Sequence, residues 1–133
     1  METKATFILI DNPVDVMVHK FMLNNELKTP ADIFHFKDTR QGLKYIETTH
    51  RVQTKNKTTV ILDMYTPGMD VHEFLQHFDL LDKKIKNQIN IFVVATFFNN
   101  EEIIKISENP HVNMFLPKPL SEKNIIDIIS SIN

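Results

Sequence analysis

Thr59-Val-Ile-Leu-Asp-Met-Tyr-Thr-Pro-Gly-Met69 is the stretch that decides the fold of this chain. Its β-favouring run leads straight into Asp63, and Pro67-Gly68 turns the chain soon after. A run this apolar, ended by turn residues, reads as a strand buried on both faces. Asp63 then stands at the strand's carboxyl end, the rim of an open parallel sheet where ligands and chemistry gather.

Working outward, the same grammar recurs. Thr6-Phe-Ile-Leu-Ile10 is an earlier apolar strand that stops at Asp11-Asn12-Pro13. Asn12 suits an N-cap and Pro13 the first position of a helix to about Glu26, with Val14, Met17, Val18, Phe21 and Met22 at helical spacing. Asp32 to Lys37 alternates as a weaker strand, and Asp38 or Thr39 caps a second helix to about Thr49 that turns Leu43 and Ile46 inward. The polar stretch from Arg51 to Thr58 reads as a surface loop.

Beyond the central strand, Asp70-Val-His-Glu73 has capping-box spacing, and Val71, Phe74, Leu75, Phe78 and Leu81 follow on one helical face. Lys83 to Asn87 reads as a solvated linker. A fourth strand, Ile89 to Ala95, precedes a helix capped by Asn99 or Asn100. A fifth, Val112 to Leu116, precedes a last helix capped by Ser121 that packs Ile125, Ile126, Ile129 and Ile132 inward.

Bulk properties narrow the function. The 133 residues suit one compact domain spanning 1–133, and 42% hydrophobic with 24% charged residues is ordinary for a globular protein. A formal net charge of −2 gives no nucleic-acid footprint, and no apolar run approaches membrane length. Without cysteine there are no disulfides and no thiolate ligands, and with two glycines no GxGxxG or GxxxxGK phosphate loop can be built. A cytoplasmic protein is the expectation. His19, His35, His50, His72, His77 and His111 lack metal-ligand spacing and read as surface residues.

Five strands alternating with five helices imply a doubly wound parallel sheet covered on both faces, an α/β chain of the flavodoxin-like order 2-1-3-4-5. Strands one and three are then neighbours at the switch point. The crevice above the sheet gathers Asp11, Asn12, Asp63, Ala95, Thr96 and Lys118. Such a set suits Mg²⁺ held by oxygens, with Lys118 pairing to a transferred phosphoryl group.

With these residues in view, the chain resembles a response-regulator receiver domain over essentially its whole length. The likeness rests on Ile8-Leu-Ile-Asp-Asn-Pro13, Leu62-Asp-Met-Tyr-Thr-Pro-Gly-Met69, the hydroxyl region after strand four, and Phe115-Leu-Pro-Lys-Pro-Leu120. It implies phosphoryl transfer from a histidine kinase or phosphotransfer protein to Asp63, with Lys118 and Thr96 assisting. Asp11, Asn12, Asp63 and the Tyr65 carbonyl would hold Mg²⁺, and Phe115 is the switch aromatic beside Ala95 or Thr96. It also implies a cis bond before Pro119. Such a domain is no conventional enzyme, catalysing at most its own aspartyl phosphorylation and dephosphorylation.

Departures from the family pattern are specific. Asn12 stands where a second acid is usual, Thr66 replaces a methionine, and Val71 replaces a glycine. An ungapped reading puts Ala95 at the switch hydroxyl, with Thr96 one place later, where strand alternation is expected to point it elsewhere. Phe97 and Phe98 replace small polar residues. Two functions follow. One is a stand-alone receiver that signals to a downstream protein through its fourth helix, fifth strand and fifth helix, a face that also suits a homodimer. The alternative is a pseudo-receiver that binds protein partners without being phosphorylated. Asn12 serves as a helix cap in either case.

Overall fold

A computed structural model describes residues 5–48 and 57–132; His50 and residues 51–56 of the loop expected over 51–58 lie outside them. Strands β1 (Ala5–Ile10), β2 (Ala31–Phe36), β3 (Thr58–Asp63), β4 (Ile89–Ala95) and β5 (Val112–Pro117) form one sheet. The helices are α1 (Pro13–Glu26), α2 (Thr39–Thr48), α3 (Val71–Asp79), α4 (Lys83–Lys86), α5 (Asn100–Ser107) and α6 (Glu122–Ser130). All strand pairs are parallel, in the expected order β2-β1-β3-β4-β5. No described helix is long and apolar enough to cross a membrane.

Because side chains alternate along a strand, the central strands feed two cores. Ile8, Ile10, Val60, Leu62, Ile91, Val93 and Ala95 face α2, α3 and α5 through Leu43, Ile46, Phe74, Phe78 and Ile106. Phe7, Leu9, Ile61, Phe92, Val94 and Leu116 face α1 and α6 through Val16, Leu23, Ile125 and Ile128. Each core therefore takes one parity of the same apolar runs, which is why those runs are continuous in sequence. β2, at the edge, has no fully buried residue.

Four details differ from the sequence reading. The described residues hold six helices, because Lys83–Lys86, expected as a linker, winds into one turn whose cap, Asp82, accepts from the Lys84 amide at 2.8 Å. β3 begins at Thr58, one residue earlier than the strand was expected to start and at a position expected to close the loop, and that residue is buried. On α6 the inward pair is Ile125 and Ile128; Ile126 is exposed, and Ile129 and Ile132 are only partly covered. The largest difference is on α1, which buries Val16, His19 and Leu23 while Val14, Met17, Val18 and Phe21 face outward. Both sets have helical spacing, so periodicity alone does not choose between them. The choice is made by the two-residue link from β1 and by the Asn12 cap, which set the rotation of the helix about its axis: Asn12 Oδ1 accepts from the Asp15 amide at 2.9 Å.

Candidate functional site

Odd-numbered residues of β1 and β3 point toward α1, and that parity takes in Asp63 at the end of β3 and Asp11 just past the end of β1. The ends are tied together by Thr66, whose hydroxyl reaches the Ile10 carbonyl at 3.2 Å and the Asp63 carbonyl at 3.0 Å. Pro67 and Gly68 turn the chain away, and Gly68 adopts φ +111°, a conformation open to glycine and strained for other residues. On the far side of β4, the Lys118 amide donates to the Ala95 carbonyl at 2.9 Å, and the Lys118–Pro119 bond is cis.

The Lys118 ammonium stands where these ends converge. It lies 2.9 and 2.8 Å from the two oxygens of Asp11 and 3.0 Å from Oδ1 of Asp63. A third carboxylate, Asp15, approaches it at 2.7 Å. Lys118 is 7% exposed, Asp11 2% and Asp63 13%, so these charges meet largely out of water. Burial alone would pull the lysine down, but hydrogen bonds to Asp11, Asp15 and Asp63 outweigh it and hold the ammonium well above the usual lysine range. Burial pushes the Asp11 carboxyl up to about 6, against the hydrogen bonds from Lys118 and the Asn12 amide. Asp15 is held below the usual carboxylate range, chiefly by its hydrogen bond from Lys118.

The other expected residues have the following surroundings. Tyr65 donates its amide to Asp63 Oδ2 at 3.0 Å. Asn12 is used as a cap: besides accepting from Asp15, its side-chain amide donates to Asp11 at 3.2 Å and to Asp15 at 2.8 Å. Thr96 lines a pocket with Asp15, His19 and Lys118, whereas Ala95 is fully buried in the opposite core. Thr96 thus stands beside Asp15 and Lys118, in a pocket whose lining includes neither Asp11 nor Asp63. Phe115 packs against the α2–α3 core and meets Phe98 edge-on, ring centroids 5.1 Å apart, while Phe97 is 75% exposed.

Two residues of the crevice were missed in the sequence. Asp15 lies one helical turn past the motif; its signal was an acid in the first turn of a helix that starts at the crevice. His19, read as a surface residue, is 3% exposed, with Nδ1 4.0 Å from Asp11 Oδ2 and no hydrogen-bond partner. Burial, and next the nearby Lys118 charge, lower its pKa. It occupies the inward stripe of α1 with Val16 and Leu23.

Among the described residues no three His, Asp or Glu side chains are set as a ready-made metal cage. The donors nevertheless fit Mg²⁺ in kind. They are hard carboxylate oxygens, and those of Asp11 and Asp63 are close enough to share one ammonium, hence close enough to share one cation.

Solved structures similar to this chain are response-regulator receiver domains, and they share its fold over nearly its whole length. A receiver protein from Dyadobacter fermentans superposes with a TM-score of 0.80 at 19% identity, covering 96% of each chain. A two-component response regulator from Cytophaga hutchinsonii gives 0.81 at 12% identity, covering 99% of this chain and 98% of that one. The phosphorylated cyanobacterial phytochrome response regulator RcpA gives 0.71 at 19% identity, covering 98% and 91%. No family model and no curated protein matches the sequence. At these identities the likeness is one of fold, and function has to be argued from the crevice itself.

Proposed function

We propose that residues 1–133 form one receiver domain that accepts a phosphoryl group on Asp63 from a phosphohistidine of a kinase or phosphotransfer protein. The observation that carries this reading is the Lys118 ammonium held within 3.0 Å of both Asp63 and Asp11 across the ends of three strands. In the transfer the P–N bond of the donor breaks, a P–O bond to Asp63 forms, and the donor imidazole takes up a proton. Lys118 neutralises charge on the moving phosphoryl oxygens. Thr96, which lines a pocket with Lys118, is the hydroxyl we assign to hydrogen-bond one of them. Asp11 and Asp63, with Asn12 and the Tyr65 carbonyl as the further ligands we assign, would hold Mg²⁺, which supplies further charge neutralisation when bound. The phosphorylated state of RcpA supports the same chemistry on this fold.

Signal output then depends on binding. The α5–β5–α6 face leaves Ile104 and Met114 exposed and includes Phe115, so it is the surface we assign to a downstream protein or a second copy. The outward stripe of α1, Val14, Met17, Val18 and Phe21, begins beside the crevice and suits a helical phosphodonor.

Acetyl phosphate with Mg²⁺, followed by intact-mass analysis, tests the proposal. The expected result is a gain of one phosphoryl group that disappears in Asp63→Asn. A second reading, a protein-binding module that is never phosphorylated, is favoured by one observation: Asn12 is spent on capping α1. Absence of any mass gain in the wild type would decide for it.

A further inference from the structure

Asp15 lies outside every motif that points to the crevice, yet its 2.7 Å approach is the shortest that the Lys118 ammonium makes. It is the third residue of α1, where the amino end of the helix favours an acid. Its partner there is Asn12, in both directions: Asn12 Oδ1 accepts from the Asp15 amide at 2.9 Å, and Asn12 Nδ2 donates to the Asp15 carboxylate at 2.8 Å. Only an amide at position 12 can do both. A carboxylate there has no N–H to give and would repel Asp15. The neutral residue at the rim and the acid one turn later therefore act as one unit.

Three carboxylates, Asp11, Asp15 and Asp63, surround one ammonium, a set of hard oxygens that suits a divalent cation. Beneath them, His19 offers a buried Nδ1 without a hydrogen-bond partner, 4.0 Å from Asp11. Such an atom can be satisfied by water carried in with a cation that keeps part of its hydration shell. We propose that Asp15 is the second anionic arm of the divalent-cation site, supplying from the first turn of α1 the charge that Asn12 lacks, with Asn12 holding it in place. This rests on the reading of the crevice as a cation-dependent phosphoacceptor.

The test is Mg²⁺ titration of the full chain, followed by amide NMR shifts around Asp63, with melting temperatures measured alongside. Asp15→Asn is expected to weaken binding by about tenfold or more, the usual effect of removing a group that supports a metal site. Moving the acid, in the double variant Asn12→Asp/Asp15→Asn, is expected to restore most of that loss. Asp15→Glu, which keeps the charge, is expected to bind nearly as the wild type does and serves if Asp15→Asn folds poorly. Equal or tighter binding by Asp15→Asn, or a loss that the relocated acid does not recover, overturns the role of Asp15 alone. A wild type silent to Mg²⁺ overturns the cation-dependent reading as well.

Discussion

Replacing Lys118 with alanine separates the charge account of the crevice from a purely steric one, because the two predict different pH dependence. Burial already raises Asp11 from 3.8 to about 6. The folded state therefore holds that proton more tightly than the unfolded chain does. The resulting penalty on stability is absent below pH 4, grows as pH rises, and levels off above pH 6 at about 3 kcal/mol. Without Lys118 the buried carboxylate loses its counter-charge and the hydrogen bond that holds it down, so Asp11 is pushed up further. The penalty then goes on growing toward pH 7, which adds about 1 kcal/mol. Protonation caps the cost there, below the 3–5 kcal/mol or so expected when a buried charge must stay ionised.

Losing the contacts to Asp63 and to the partly exposed Asp15 adds about 1 kcal/mol, discounted for solvent. Lys118→Ala should therefore be about 2–3 kcal/mol less stable than the wild type at pH 7, and the difference should shrink by about 1 kcal/mol at pH 5. Urea unfolding at both pH values, followed by far-ultraviolet circular dichroism, measures it. A destabilisation equal at the two pH values, or larger at pH 5, would refute the assignment of Lys118 as counter-charge to Asp11.

Two further outcomes are expected from the surroundings of the site. Gly68→Ala places a Cβ 2.6 Å from Thr39 Oγ1 and 2.7 Å from Asp38 Oδ1, at φ +111°; it should lower stability by about 2 kcal/mol in the same unfolding assay, and an unchanged midpoint would show that the turn relaxes freely. Phe21→Ser, at a position 66% exposed, should leave stability within about 0.5 kcal/mol. It should slow transfer from a phosphorylated helical donor while leaving acetyl phosphate labelling unchanged, and equal effects on the two donors would remove α1 as the docking face.

The sheet was legible because its central strands are so apolar. Thr59–Leu62 and Ile89–Ala95 leave no polar face, so they belong between two helical layers, and right-handed crossovers then leave few strand orders. Caps were legible for a similar local reason: Asn12, Asp70, Asn99 and Ser121 all accept from amides in the first turns of their helices. At the crevice, Asp11, Asp63 and Lys118 were found because each ends a strand or follows one closely. Asp15 and His19 were missed because they sit on a helix, where position along the chain does not tell which way a side chain faces.

Local chemistry written in the chain was thus enough to set the strands, their parallel order and the rim on which Asp63 stands. Tertiary structure alone decided which apolar stripe of α1 meets the sheet, that Thr96 lines a pocket with Lys118 while Ala95 is buried in the other core, and that Asp15 joins a lysine 103 residues away. The physical reason is that strand alternation follows from the chain's own period of two, whereas the rotation of a helix about its axis depends on how its end is tied and on what it packs against.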